Sequence, residues 1–240
     1  MENMSESLLS IKNLNSYYGK AHILQGVSIN INPLERVAIL GRNGMGKSTL
    51  IKSILGLSGI RRDGNIYFNG ENIIEKKTYE IARRSISYVP QGRQLFSLLS
   101  VEEHLTMAYK PVKGGDGWTP KMVFDIFPEI RERKKVSGTK ISGGEQQILA
   151  IGRALVTNSS LILMDEPSEG ISTLVIERIL GICRQLTEQG TSLLLVEQNL
   201  GLALSVAQKV YILVNGRIVH ETSSEEFKVD NESQHNYLGI

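Results

Sequence analysis

A single cysteine, Cys183, leaves this 240-residue chain without a partner for an intrachain disulfide. That thiol lies in an apolar-patterned stretch that reads as a helix, where a buried, inert side chain is expected rather than a nucleophile. Long hydrophobic runs are missing too, since no stretch approaches the roughly 20 apolar residues that cross a bilayer. The opening MENMSESLLS has acids and no apolar centre, so no export signal is expected. Neither sign of charge dominates: 27 Lys and Arg oppose 25 Asp and Glu, a formal net charge of +2 that gives nucleic acid no electrostatic footprint. Internal repeats and low-complexity tracts are also lacking. The expectation is a soluble, intracellular chain with one large domain or a core plus a smaller subdomain. Any work at a membrane would go through partners.

Against these absences stands one dense motif. Gly41-Arg42-Asn43-Gly44-Met45-Gly46-Lys47-Ser48 fits G-x-x-x-x-G-K-[ST], the phosphate-binding loop. The apolar run Val37–Leu40 before it reads as a buried strand, and Thr49–Leu55 after it as a helix. Glycines let backbone N–H groups curl around phosphate oxygens, and the helix N-terminus adds its positive dipole end. Lys47 supplies a full charge for the β- and γ-phosphates, and the Ser48 hydroxyl suits a Mg²⁺ position. A glycine turn opening an ordinary helix has no need of Lys-Ser directly after its last glycine. The motif therefore predicts a binder of a nucleoside triphosphate.

Three continuous apolar runs, Val37–Leu40, Leu161–Met164 and Leu193–Val196, suit central parallel strands buried on both faces. Each precedes a loop and a helical pattern, which implies βαβ crossovers. Leu8–Ile11 and Val27–Ile31 alternate as half-buried strands do, and Ile66–Gly70 and Ile86–Val89 read as further strands. Between Gln91 and Gly138 the texture turns helical, at Val101–Leu105 and Met122–Phe127, with Lys113–Gly117 as a flexible connection. This middle third reads as a helical insertion in an α/β core. Near the C-terminus a short helix is expected behind Ser223 or Ser224, and Glu226 can close a capping box on Ser223.

The run Leu161–Met164 ends in Asp165 and Glu166, acids at the C-terminal end of a strand, where ligands bind in open α/β sheets. Successive strand side chains point to opposite sides, which would let the two acids do different work. Asp165 is assigned to Mg²⁺ through a water, and Glu166 to polarising the attacking water. A strand-ending acidic pair can instead merely cap the next helix; a phosphate loop in the same chain favours the chemical role.

Ile141-Ser142-Gly143-Gly144-Glu145-Gln146-Gln147 places a serine and two glycines before a helix, Gln146 to Leu155, and makes a second anion-binding helix N-terminus with no local ligand in view. An ordinary N-capped helix would look the same in isolation. Between a phosphate loop and an acidic strand, this segment resembles the ABC ATPase family, whose signature is usually written LSGGQ. The likeness runs along nearly the whole chain. It is strongest to the ATPases of branched-chain amino-acid importers and their relatives for urea and short amides. Pro90-Gln91-Gly92-Arg93, Phe127–Arg133, Ile148–Leu155, Asp165–Gly170, Val196–Asn199 and the closing Tyr237-Leu238-Gly239 carry it.

The resemblance implies a P-loop NTPase fold of α/β class: a mainly parallel sheet, an N-terminal antiparallel β subdomain and a helical subdomain inserted at about 92–140, all within one ABC ATPase domain over 1–240. It implies that ATP is held by Gly41 to Ser48 and Thr49, with Tyr18 stacking on adenine, although Tyr17 competes for that role. Gln91, with Ser48 and Asp165, falls on the Mg²⁺ side. Two ATPase subunits would face head to tail, so that Ser142, Gly143, Gly144 and Glu145 of one meet the nucleotide of the other. Gln198 stands where the family generally has histidine, and Ser172 where it usually has aspartate. An amide can donate to a γ-phosphate oxygen but carries no charge, so the second ATPase subunit is expected to be a different chain. Two membrane permease subunits would dock on the 91–138 region near Arg93 and Phe96, with a solute-binding protein acting indirectly and no nucleic acid. The place would be the inner face of the cell membrane, as a peripheral cytoplasmic subunit. Two rivals remain, a non-transport ABC ATPase of DNA repair or translation and a module that senses ATP without hydrolysing it.

Overall fold

The computed structural model describes residues 7–112, 114 and 117–239. The first six residues, and Lys113, Gly115 and Asp116 of the expected flexible connection, lie outside the described residues. The chain runs β1 (Leu9–Tyr18), β2 (Ala21–Ile31), β3 (Arg36–Leu40), α1 (Lys47–Ile54), β4 (Arg61–Phe68), β5 (Glu71–Asn72), α2 (Thr78–Ala82) and β6 (Ile86–Val89). It continues with α3 (Val101–Ala108), α4 (Pro120–Ile126), α5 (Pro128–Glu132), α6 (Gly143–Leu155), β7 (Leu161–Asp165), α7 (Thr173–Glu188), β8 (Ser192–Glu197) and α8 (Leu200–Val206). β9 (Lys209–Val214), β10 (Arg217–Ser223), α9 (Ser224–Val229), α10 (Asn231–Ser233) and a π-turn, Gln234–Leu238, complete it.

Two sheets result. One is antiparallel, ordered β2-β1-β4-β5, and the other is ordered β10-β9-β3-β8-β7-β6. In the second sheet β9, β3, β8, β7 and β6 pair in parallel, and β10 returns antiparallel along β9. The continuous apolar runs are the inner strands because both their faces are covered. Val37 and Ile39, Leu161 and Leu163, and Leu194 and Val196 face the core shared with the antiparallel sheet and α1. Ile162, Met164, Leu193 and Leu195 face the opposite core with α6 and α7. Ala38 and Leu40 pack against α8 and α9 residues. Cys183 is buried in α7, and burial pushes its thiol pKa up to about 12, so it is held as the unreactive thiol.

Some boundaries differ from the sequence pattern, each for a local reason. The strand expected over Ile66–Gly70 stops at Phe68, because Asn69 and Gly70 both take positive φ, 48° and 77°, and make a hairpin turn into β5. The helix expected from Gln146 begins three residues earlier, at Gly143, where Ser142 caps it. Ser223, not Ser224, caps α9, and Glu226 closes the box. Strands β9 and β10 have no counterpart among the expected elements. Tyr211-Ile212-Leu213-Val214-Asn215-Gly216 carried their signal, an apolar run ending in Asn-Gly. Among the described residues no helix is long and apolar enough to cross a membrane.

Candidate active site

The parallel strands end at one edge of the sheet, and the loops after β3, β6, β7 and β8 meet there. β3 delivers Gly41–Gly46 and then α1. Gly46 takes φ 102°, a conformation L side chains rarely adopt, and a Cβ there would press on Leu24 Cδ2 at 2.9 Å. Gly41 is glycine for a different reason, since a Cβ would overlap the carbonyl oxygen of Leu213 in neighbouring β9. No side chain caps α1, and its first turn has no acid. Its free first-turn amides and dipole thus face the loop.

Lys47 is buried, 4% exposed, and its Nζ donates to the carbonyls of Gly41 at 2.9 Å and Arg42 at 3.2 Å. The same ammonium pairs with Glu166 Oε1 at 3.0 Å. One residue on, Ser48 Oγ donates to Asp165 Oδ1 at 2.9 Å, and Tyr88 Oη reaches Asp165 Oδ2 at 3.4 Å. Burial raises the Asp165 pKa and the Ser48 hydrogen bond opposes that rise; burial first and then Asp165 itself push the Tyr88 phenol up. A cavity of about 390 Å³ is lined by Asn43, Gly44, Lys47, Ser48, Gln91 and Glu166, among others.

Strand alternation does not separate the two acids, contrary to expectation. β7 ends at Asp165, and Glu166 already has φ 48°. This left-handed turn aims Asp165 at Ser48 and Glu166 at Lys47 and Gln91. A left-handed non-glycine residue costs on the order of 1–3 kcal/mol and persists where the surroundings fix it. Here they do, because Glu166 N–H donates to Val196 O at 2.9 Å.

Gln91 lies in the loop after β6, and its Nε2 donates to Glu166 Oε2 and to Glu169 Oε2, both at 3.1 Å. Glu169 is a site residue that the sequence reading passed over; its signal was an acid three places beyond Glu166 in a glycine-terminated loop. Glu197 is another. It ends β8 as Asp165 ends β7, is 2% exposed, and accepts from the backbone N–H groups of Ser168, Gln198 and Asn199 at 3.1, 3.1 and 3.2 Å. Burial raises its pKa and these bonds oppose the rise. Glu197 thereby joins the loops after β7 and β8, and Gln198 lines a second cavity, about 370 Å³, with Asn43, Glu166 and Glu169.

The remaining expected residues lie around this centre. Tyr18 closes β1 and is 40% exposed, whereas Tyr17 is engaged, stacked on His22 at 4.3 Å with the Arg61 guanidinium 3.9 Å over its ring. Met45 is held by the β9–β10 turn: Gly216 N donates to its carbonyl at 3.1 Å and Asn215 N contacts its sulfur at 3.1 Å. Thr49 is buried in α1. At α6 the helix end carries its own cap. Ser142 Oγ accepts from Glu145 N at 3.3 Å, and the Glu145 carboxylate turns back to accept from Ser142 N at 2.7 Å. The Arg93 guanidinium packs against Gly143 and Gly170, and Arg153 of the groove beside Phe96 donates to the Arg93 carbonyl at 3.5 Å. Ser172 caps α7 by position, without a side-chain hydrogen bond.

Among the described residues no group of three or more His, Cys, Asp or Glu side chains could hold a metal ion. A hydroxyl and a carboxylate at 2.9 Å, Ser48 and Asp165, do fit Mg²⁺, which takes one or two protein oxygens and completes its shell with water and substrate phosphates.

Three comparisons bear on this geometry. The sequence profile of the ABC transporter family matches residues 24–169, more than half of the chain. The chain is 39% identical over 239 residues to the high-affinity branched-chain amino acid transport ATP-binding protein BraG of Pseudomonas aeruginosa, covering 97% of this chain and 100% of that one. It is 32% identical to the lipopolysaccharide export system ATP-binding protein LptB of Haemophilus influenzae, over 97% of this chain and 98% of that one. Among solved structures, a dimeric ATP-binding cassette bound to ADP and Pi superposes with a TM-score of 0.78 at 25% identity, covering 90% of this chain and 98% of that chain.

Proposed function

The chain belongs to the ABC transporter ATPases, and from that premise we propose that it is the ATP-hydrolysing motor subunit of an importer for branched-chain or other hydrophobic amino acids. The observation that carries the site assignment is the convergence of Lys47, Ser48, Asp165 and Glu166, with contacts of 2.9–3.0 Å joining the two motifs. The 39% identity to BraG favours amino acids, and the 32% identity to LptB is the reason the solute is part of the proposal. A urea or short-amide importer is the neighbouring reading, and it rests on the sequence resemblance.

In this mechanism the amides of the 41–48 loop and Lys47 bind the phosphates, and Lys47 exchanges its Glu166 partner for phosphate oxygen. Glu166, released, accepts a hydrogen bond from the attacking water. Ser48, Asp165 and Gln91 would hold Mg²⁺, which when bound would supply positive charge against the transferring phosphoryl group. Gln91 then links Glu166 to the loop that leads toward the helical region. Tyr18, the exposed member of the tyrosine pair, offers its ring to adenine. Ser142, Gly143, Gly144 and Glu145 of a second ATPase subunit close over the nucleotide. Dimer closure and reopening drive two permease subunits. These dock in the groove of about 460 Å³ lined by Tyr88, Pro90, Gln94, Leu95, Phe96 and Arg153, where Phe96 is 52% exposed. The subunit works peripherally on the inner face of the cell membrane, with a solute-binding protein acting through the permeases.

Glu166→Gln tests the reading. ATP binding persists and hydrolysis falls by about 10²-fold or more, the scale of a positioned base; wild-type turnover in that variant removes the role. The neutral Gln198 further leads us to pair this subunit with a different ATPase that carries histidine there, since a cation stabilises phosphoryl charge better than an amide does. Single-turnover hydrolysis at each site of the assembled complex then runs slower on this chain's loop. Equal rates, with Gln198→Ala unaffected, exclude that asymmetry.

A further inference from the structure

The closing Tyr237-Leu238-Gly239 has no part in the chemistry above, yet it touches the phosphate loop. The π-turn Gln234–Leu238 ends at Gly239, whose φ of 74° brings its N–H onto the carbonyls of Gln234 and His235 at 3.1 and 2.9 Å. That turn presents the Leu238 carbonyl, which accepts from Arg42 Nε at 2.9 Å. A Cβ on Gly239 would overlap the Arg42 guanidinium, so a side chain there has to displace Arg42 from its seat, and the φ of 74° itself favours glycine.

The tail is itself anchored. Gln234 Nε2 donates to Phe227 O at 2.6 Å, and the Tyr237 ring stacks on His220 at 5.9 Å. Tyr237 and Leu238 pack on the apolar layer that contains Leu40, two residues before Arg42. On the loop side, the Arg42 carbonyl receives Lys47 Nζ at 3.2 Å and Met45 N at 3.4 Å. One residue thus has its side chain held by the end of the chain and its carbonyl holding the loop lysine.

We propose that the C-terminal turn Tyr237–Gly239 is a positioning element for the phosphate loop, acting through Arg42 to preset the loop for nucleotide phosphates. An arginine side chain left free has rotamer entropy to lose on ordering; the tail removes that freedom before the nucleotide arrives. Pre-ordering of this kind favours ground state and transition state alike, so it acts on KM and nucleotide affinity and not on kcat. The proposal rests on the nucleotide-binding reading of Gly41–Ser48.

The test is ADP titration of the full-length subunit, with ATPase kinetics and thermal melting, for Gly239→Ala, Arg42→Ala and the double variant. Gly239→Ala weakens ADP binding and raises the KM for ATP by about threefold to tenfold, with kcat within about twofold of wild type. Arg42→Ala weakens ADP binding to a similar extent, and the double variant is no weaker than the worse single one, because both remove the same contact. A chain ending after Tyr237 repeats the Gly239→Ala result if that variant folds poorly. Unchanged ADP affinity in Gly239→Ala and in the shortened chain, or fold-changes that multiply in the double variant, overturns the proposal, as does a lower melting temperature with affinity intact. Lys47→Ala is the control. ADP binding that depends on Lys47 but ignores the tail removes the tail's role alone, whereas wild type that binds no ADP removes both readings.

Discussion

Two helices of this protein open on glycine-rich turns, and they open differently. α1 starts behind Gly46 with no side-chain cap, no acid in its first turn and Lys47 as its first residue. α6 starts behind Ser142 with a complete capping box and Glu145 in its first turn. A helix N-terminus leaves up to four N–H groups without intrahelical partners. The chain answers one of these at α6 with its own serine, and at α1 it leaves them to the glycine loop. The difference separates a helix end whose first-turn amides meet no side-chain acceptor from one whose third amide is already taken by its own serine. In the proposed dimer the nucleotide is therefore seated first on α1 and covered afterwards by α6.

The strongest way to break the comparison is at Lys47. Lys47→Ala removes a charge-assisted contact of about 1.5–3 kcal/mol at a buried position, and nucleotide affinity should fall by about 10- to 100-fold. Unchanged affinity in a binding titration would remove the distinction between α1 and any other helix start. Ser142→Ala tests the other helix. Loss of the cap costs about 1 kcal/mol, which lowers the melting temperature by about 2–4 °C in a chain of this size. ADP binding to the isolated subunit should stay at the wild-type level while ATP-dependent dimer formation weakens. Weaker ADP binding in the isolated subunit would mean that α6 touches the chain's own nucleotide.

The smallest expected effect concerns His104, which fixes the start of the α6-bearing region to the loop beyond Gln91. It is fully buried; its Nδ1–H donates to Ser100 O at 2.8 Å, and Nε2 accepts from Phe96 N–H at 2.9 Å. That pattern needs the neutral ring. Burial first, and Arg153 second, lower its pKa, while the Ser100 carbonyl and Glu103 oppose them. A histidine whose folded pKa is depressed contributes stability that is complete above the unfolded value, about 6.5, and is lost as pH falls from there toward the folded value. Wild type should thus lose more stability than His104→Asn between about pH 7 and 5. Parallel denaturant curves for the two proteins across that range would show that His104 does not titrate against the fold.

The same contrast runs through what could be read from the residues. The loop Gly41–Ser48 and its flanking strand and helix were legible because the motif is contiguous and each part has its own local signal. The inner strands were legible because burial on both faces erases alternation. Glu169 and Glu197 were less so, since the partners that tie them into the site, Gln91 Nε2 and the Ser168 amide, belong to other loops. β9 and β10 were missed despite the Asn215-Gly216 signal, and with them the support beneath Met45 and the close approach of Leu213 to Gly41.

Sequence alone therefore determined the local units: a strand, a glycine loop and a helix at 37–54, an acid pair at the end of an apolar run, and a serine-glycine helix start at 142. These depend on residues a few positions apart, where propensity, periodicity and capping act. Tertiary structure decided how the units meet. It turned Glu166 out of the strand at φ 48°, set Lys47 against it at 3.0 Å across the sheet edge, and brought Leu238 to Arg42. Strand order puts β3 between β8 and β9, so partners 119 to 196 residues apart in the chain become neighbours. No local pattern encodes that adjacency, because it is fixed by which buried faces can be covered at once.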